Sequence, residues 1–98
     1  MVALTSKQRQ FLKARAHALS PVVRIGKGGL TSAVVQETKT ALRAHELIKV
    51  RIEVEDGKER RAAARRLAED TDASLVGAVG KVAILYRERD EDPSIRLP

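Results

Sequence analysis

The residues best suited to chemistry are Gly26-Lys27-Gly28-Gly29, three glycines and a lysine in four positions. Glycine leaves no side chain to block a bulky anion. An apolar stretch, Pro21-Val22-Val23-Arg24-Ile25, precedes them, and a helical pattern begins near Thr31. The unpaired N–H groups of a helix start point back toward such a loop and favour negative charge. Lys27 adds a mobile positive charge. The chemistry this order suits is a grip on phosphate. The same four residues also suit a tight strand-to-helix turn with no ligand, and their spacing alone leaves both readings open.

Two nucleotide motifs are excluded. Gly29 is followed by Leu30 and Thr31, so the spacing G-x-x-x-x-G-K-[ST] is absent. The pattern G-x-G-x-x-G would need glycine where Thr31 stands. What remains is a bare G-x-x-G, which the KH module uses to clamp nucleic-acid backbone, although there it joins two helices.

Charge distribution bears on the choice. Residues 1–51 hold ten Lys/Arg against two Asp/Glu, a balance of +8, whereas residues 52–98 hold nine against eleven, a balance of −2. The first acid is Glu37. Such asymmetry often reflects solubility alone. Here the basic half also carries the glycine loop, which favours a polyanion partner. An anionic membrane is the weaker rival, because no helix pairs a basic face with large apolar anchors. The chain has one Phe and one Tyr, Phe11 and Tyr86. A sheet that stacks bases on aromatic rings is therefore not expected, and recognition should rest on phosphates, shape and 2′-hydroxyls. The expected partner is RNA, held by Gly26, Lys27, Gly28 and Gly29, with Lys7, Lys13, Arg24, Lys49 and Arg51 extending the footprint by their predicted facing.

Other chemistry finds little support. His17 and His45 are far apart, and no His pair has i, i+4 spacing for zinc. A capping or packing role suits both, since a cation is favoured at a helix C-terminus. There is no cysteine, no G-x-S-x-G elbow, and the acids of the C-terminal half mostly alternate with arginines as solvated pairs do. No catalytic residue, metal or cofactor is expected.

The elements that must position the loop follow from periodicity. A helix over residues 6–18 is capped by Thr5 with Gln8, and its stripe is Leu4, Phe11, Leu12, Ala16 and Leu19, with Arg15 at the edge. Residues 22–25 form a short strand. A helix from Thr31 or Ser32 to about 44 buries Val34, Val35, Thr38, Ala41 and Leu42, with His45 ending the inner stripe. Residues 47–54 alternate as a strand: Ile48, Val50, Ile52 and Val54 inward, Lys49, Arg51 and Glu53 outward. A helix over 58–71 presents Ala63, Ala64, Leu67 and Ala68. Strands over 74–79 and 82–87 meet through Gly80-Lys81 as a hairpin. The mixed-charge tail, 88–98, reads as loose. Strand–helix–strand units imply right-handed crossovers with both helices on one face. The prediction is an α/β two-layer sandwich, α-β-α-β-α-β-β, whose second face is partly open and carries Arg24, Lys49 and Arg51. The 98 residues make one domain. No apolar run reaches the roughly 18–20 residues of a membrane span, no signal-peptide pattern opens the chain and there is no cysteine, so the expected setting is the cytoplasm. The expected state is a monomer.

Three stretches then carry a resemblance: Leu4-Thr5-Ser6-Lys7-Gln8-Arg9, Ala16-His17-Ala18-Leu19-Ser20-Pro21-Val22-Val23, and Ile25-Gly26-Lys27-Gly28-Gly29-Leu30-Thr31. With His45-Glu46-Leu47-Ile48-Lys49-Val50, Val79-Gly80-Lys81, Leu85-Tyr86-Arg87 and the ending Ile95-Arg96-Leu97-Pro98, the chain resembles the CRM domain, named for chloroplast RNA splicing and ribosome maturation, in its bacterial stand-alone YhbY form. The resemblance implies a fold similar to the C-terminal domain of translation initiation factor three, with an added N-terminal helix and a mixed four-stranded sheet in order 1-2-4-3. It implies RNA contact by the G-x-x-G loop and a partner among precursors of the large ribosomal subunit. Two positions depart from the family. Many relatives carry Asn where Gly28 stands, so the loop should be more flexible here, and Arg15 replaces a commonly apolar residue. Two rival functions stay in view: an architectural DNA-binding protein, and a protein-interaction module with a basic face.

Overall fold

Short polar caps set the helix starts. In the computed structural model, which describes residues 3–98, helix α1 (Ser6–Ala16) opens with a reciprocal capping box. Thr5 Oγ1 accepts from the Gln8 N–H and Gln8 Oε1 accepts from the Thr5 N–H, both at 3.1 Å. Helix α2 (Ser32–His45) starts on Thr31, whose hydroxyl accepts from the Val34 N–H. Helix α3 (Gly57–Asp70) starts on Asp56, whose carboxylate accepts from the N–H groups of Lys58 and Glu59. Each cap satisfies donors that the first helical turn leaves unpaired.

Four strands, β1 (Pro21–Ile25), β2 (Leu47–Ile52), β3 (Ser74–Val79) and β4 (Val82–Tyr86), form one mixed sheet in the order β1-β2-β4-β3. β1 and β2 are parallel, and β4 runs antiparallel to β2 and β3. Period-two alternation in β2 sorts its side chains. Ile48, Val50 and Ile52 join Val23, Ile25 and Leu85 in a core with Leu42 of α2 and Ala64, Leu67 and Ala68 of α3. The alanines let α3 lie close on the sheet. This is the expected α/β layering, with both crossover helices on one face.

The second face is more covered than its sequence pattern implies. Leu12 and Ala16 of α1 pack there against Leu47, Val76, Ile84 and Tyr86, with Ile95 from the chain end. An isolated 11-residue helix is marginal in water, so this contact is what keeps α1 in place. The docking line is the narrow pair Leu12 and Ala16. Phe11 lies beside that line and stays 36% exposed, and Leu19 lies beyond the helix end and is 39% exposed, so neither is the core residue that the stripe suggests. Lys13 runs its stem across Gly77 of β3; a Cβ there would fall 2.6 Å from Lys13 Cε, so the glycine makes room for the lysine.

Residues 88–98 are not loose. Their anchor is Glu46, which follows α2 with φ +64 and ψ −44 and is fully buried. Its Oε1 accepts from the Ser94 N–H at 2.6 Å, the Ser94 hydroxyl at 2.7 Å and the Ile95 N–H at 3.1 Å. Its Oε2 accepts from the Arg89 N–H at 3.0 Å. The Arg89 guanidinium donates to the last carbonyls of α2, at Arg43 and Ala44, and Gln8 Nε2 donates to Pro98 O. The mixed-charge composition of the segment concealed two apolar contacts, Ile95 and the partly buried Leu97, and the distant carboxylate that receives the segment. The inward line of α2 runs Thr38, Leu42, Glu46, four apart; His45 falls off it and is exposed, contrary to the expectation of an inner-stripe position.

Candidate nucleic-acid interface

The glycine loop sits where β1 ends. Glu53 N–H donates to Ile25 O and so closes the sheet at that point. Gly29 N–H then donates to Gly26 O at 3.0 Å, making residues 26–29 a β-turn. Neither central residue, Lys27 nor Gly28, has positive φ, which is the type I arrangement. Gly29 has φ +77, a conformation that favours glycine. The chain passes directly from it through Leu30 to the Thr31 cap.

The four loop residues therefore differ in role. Gly29 turns the chain, and its N–H is used inside the loop rather than offered outward as the sequence suggests. A Cβ on Gly26 or Gly28 would meet nothing within 4 Å, so these two positions open to solvent. Asn at position 28 would fit this backbone without strain, so the turn itself does not require glycine there. Among the described residues, the N–H groups of Lys27 and Gly28 have no acceptor, and the Lys27 ammonium has no partner. The first turn of α2 contains no acid. Gly29→Ala should cost about 1 kcal/mol or more from backbone strain, and Gly26→Ala much less; urea unfolding of both variants compares them.

The expected footprint residues are brought together only in part. Arg24 and Arg51 are register partners on β1 and β2, one residue from the loop end of the sheet. They share Glu53: Arg51 Nε donates to its Oε1 at 2.7 Å, and Arg24 Nε lies 3.8 Å away. The Arg51 hydrogen bond, with the charges of Arg51, Arg24 and Lys81, holds the Glu53 carboxyl below the usual range against a smaller opposing effect of desolvation. Lys49 lies opposite Pro21, at the far end of β1, and its ammonium donates to Leu19 O at 2.9 Å. Lys13 lies over β3, at the other edge of the sheet, and Lys7 is exposed on α1. Three strand spacings, about 14 Å, separate β1 from β3. The loop, Arg24 and Arg51 thus form one cluster, while Lys7, Lys13 and Lys49 lie apart from it.

A second basic group was not foreseen. Helix α3 and the hairpin bring Arg60, Arg61, Arg65 and Lys81 around one groove with Arg9 of α1. The balance of −2 over residues 52–98 hid it, because the acids lie mostly outside α3. Positions 58–66 contain five Lys/Arg and one acid, Glu59, and that local run was the available signal. His17 and His45 sit exposed at the C-terminal ends of α1 and α2. No group of three His, Asp or Glu among the described residues could hold a metal ion, and no described helix is long and apolar enough to cross a membrane.

Comparison with known proteins places this arrangement. The family model of the CRS1 / YhbY (CRM) domain matches residues 4–87. An RNA-binding protein of Haemophilus influenzae is 41% identical over 98 residues, spanning 100% of this chain and 98% of the relative. The Bacillus subtilis protein YqeI, named a probable RNA-binding protein, is 36% identical over 95 residues, spanning 97% and 99%. The solution structure of a Staphylococcus aureus protein superposes with a TM-score of 0.87 at 34% identity, covering 98% of this chain and 100% of that one. The β-turn between β1 and α2, the sheet order β1-β2-β4-β3 and a family match that spans every helix and strand lead to one assignment: the chain belongs to the CRS1 / YhbY (CRM) domain family.

Proposed function

We propose that the chain is a non-enzymatic, cytoplasmic RNA-binding protein that assists assembly of the large ribosomal subunit, and that it grips the RNA backbone through Gly26, Lys27, Gly28 and Gly29. One observation carries this reading. Among the described residues the N–H groups of Lys27 and Gly28 have no acceptor, and they lie in an exposed turn beside an unpaired ammonium and an acid-free helix start. A phosphate oxygen would satisfy both donors, and the charge of Lys27 would strengthen the bonds. Arg24 and Arg51 extend the positive field, reduced by Glu53. Membership of the family supports RNA as the partner class, and relatives named as RNA-binding proteins point the same way. The large-subunit target comes from the family resemblance.

Backbone recognition makes affinity depend on salt through counterion release. If about 4–6 phosphates are neutralised, log K should fall with log salt at a slope of roughly −3 to −5. Filter binding of a structured RNA across a salt series measures it, and a flat response would sink the backbone mechanism. Crosslinking in cells tests the target: large-subunit ribosomal RNA should be recovered, and enrichment of small-subunit RNA or of DNA instead would remove that assignment.

A further inference from the structure

We propose that the groove between α3 and the β3–β4 hairpin is a second RNA-binding surface, which holds the backbone of another strand while the glycine loop holds the first. The proposal rests on the RNA reading given above and adds a site to it.

The groove encloses about 390 Å³, and no carboxylate lines it. Between the cations its lining is uncharged, with Ala64, Ala78, Gly80 and Ala83 beside the larger Ile52, Leu75 and Val82, while the Lys13 stem covers Gly77. Its walls are cationic, and the cations are of three kinds. Arg9 and Arg60 are pinned by neutral acceptors. Arg9 Nη1 donates to Leu75 O and Val76 O at 2.7 and 2.8 Å, beside the irregularity in β3. Arg60 Nη1 donates to Val54 O at 2.7 Å and Glu55 O at 3.1 Å. Carbonyls fix these guanidinium groups in place without cancelling their charge. Arg61 and Arg65 are different, because neither has an acceptor among the described residues. They lie four apart on α3, where like charges repel and weaken the helix. A polyanion in the groove would relieve that repulsion. Among the described residues, Lys81 is the wall cation held by an acid, Glu55 at 2.6 Å.

The position of the groove fits two-strand binding. The hairpin and the glycine loop lie at the same end of the sheet. Lys81 O accepts from the Ile52 N–H, and Ile25 O accepts from the neighbouring Glu53 N–H. β1 and β4 are two strands apart, about 10 Å. One folded RNA could therefore place separate backbone segments on both sites, whereas a short single strand would not span them with the same contacts.

Charge reversal tests the site. Arg61→Glu with Arg65→Glu changes two exposed side chains whose heads touch no acceptor, and Arg61→Gln with Arg65→Gln serves as a gentler pair; circular dichroism verifies folding. Anisotropy titrations would use an RNA hairpin and a short single-stranded RNA across a salt series, with Gly28→Asp as the loop control. The double reversal should weaken hairpin binding at least about tenfold and make the salt slope shallower by about 2, matching two lost phosphate contacts. The loss on single strands should be smaller. If both double variants keep wild-type affinity and slope while Gly28→Asp loses binding, the groove proposal is overturned and the loop reading stands. If wild type binds neither RNA, the underlying RNA reading fails as well. If the double variants lose only an acidic polypeptide and keep RNA, the groove is a protein site and the proposal is wrong.

Discussion

Replacing Glu46 with alanine should lower folding stability by about 3 kcal/mol and release the chain end from the sheet. The carboxylate is fully buried and accepts four hydrogen bonds from residues more than forty positions away. Each donor left unsatisfied in a buried site costs on the order of 1–3 kcal/mol. The freed segment can recover part of that from water, so the sum is not expected in full. Ile95 would leave the apolar cluster of Leu12, Leu47 and Tyr86, adding lost burial. The backbone offers an internal control. At φ +64 and ψ −44 Glu46 lies near the strained γ-turn region. Glu46→Gly relieves that strain while still losing the anchor, so it should be less destabilised than Glu46→Ala. Urea unfolding of both variants measures the difference, and an alanine variant as stable as wild type would contradict the anchoring role.

The same carboxylate makes stability depend on pH in a definite sense. Burial alone would push its pKa up. The Arg89 N–H, the Ser94 hydroxyl and the N–H groups of Ser94 and Ile95 outweigh burial and hold it below the usual glutamate value. A depressed folded pKa contributes stability that is present above the unfolded value, about 4.3, and lost as pH falls through the folded one. Wild type should therefore weaken below about pH 4.3 more steeply than Glu46→Ala.

The second large effect is on binding. Gly28→Asp should leave unfolding unchanged within error and reduce affinity for structured RNA roughly tenfold or more. The structure separates the two outcomes. Gly28 has no positive φ, and a Cβ there meets nothing within 4 Å, so aspartate fits. Its carboxylate would stand beside the Lys27 and Gly28 N–H groups, where phosphate is proposed to sit. Like charges brought together in this way cost several kcal/mol, and about 1.4 kcal/mol is already tenfold. Undiminished binding by the folded variant would remove the loop from the mechanism.

Local signals made most of this architecture legible. Thr5 with Gln8, Thr31 and Asp56 cap the helices because their side chains reach donors only two or three residues away. Ile48, Val50 and Ile52 alternate because a strand with one buried face leaves that record. The sheet order was expected only through the family resemblance, since strand periodicity does not say which edge β3 joins. What stayed hidden depends on residues distant in the chain. Nothing near Glu46 marks it as the receptor for Ser94 and Ile95. Nothing local says that Phe11 misses the sheet while Leu12 meets it. At the interface, the glycine loop was visible as a motif, but the division of labour within it was not. Gly29 turns the backbone and Gly28 leaves space, a distinction that resides in φ angles. The groove arginines were present as a run on α3, masked by summing charge over half the chain.

The central claim concerns two backbone donors, and one measurement addresses them directly. In a titration of the isotopically labelled protein with an RNA hairpin, followed by amide NMR, the Lys27 and Gly28 signals should move downfield and saturate with the complex. The Gly29 amide, already bonded to Gly26 O, should move less. Binding that shifts amides elsewhere and leaves Lys27 and Gly28 unmoved would contradict the account.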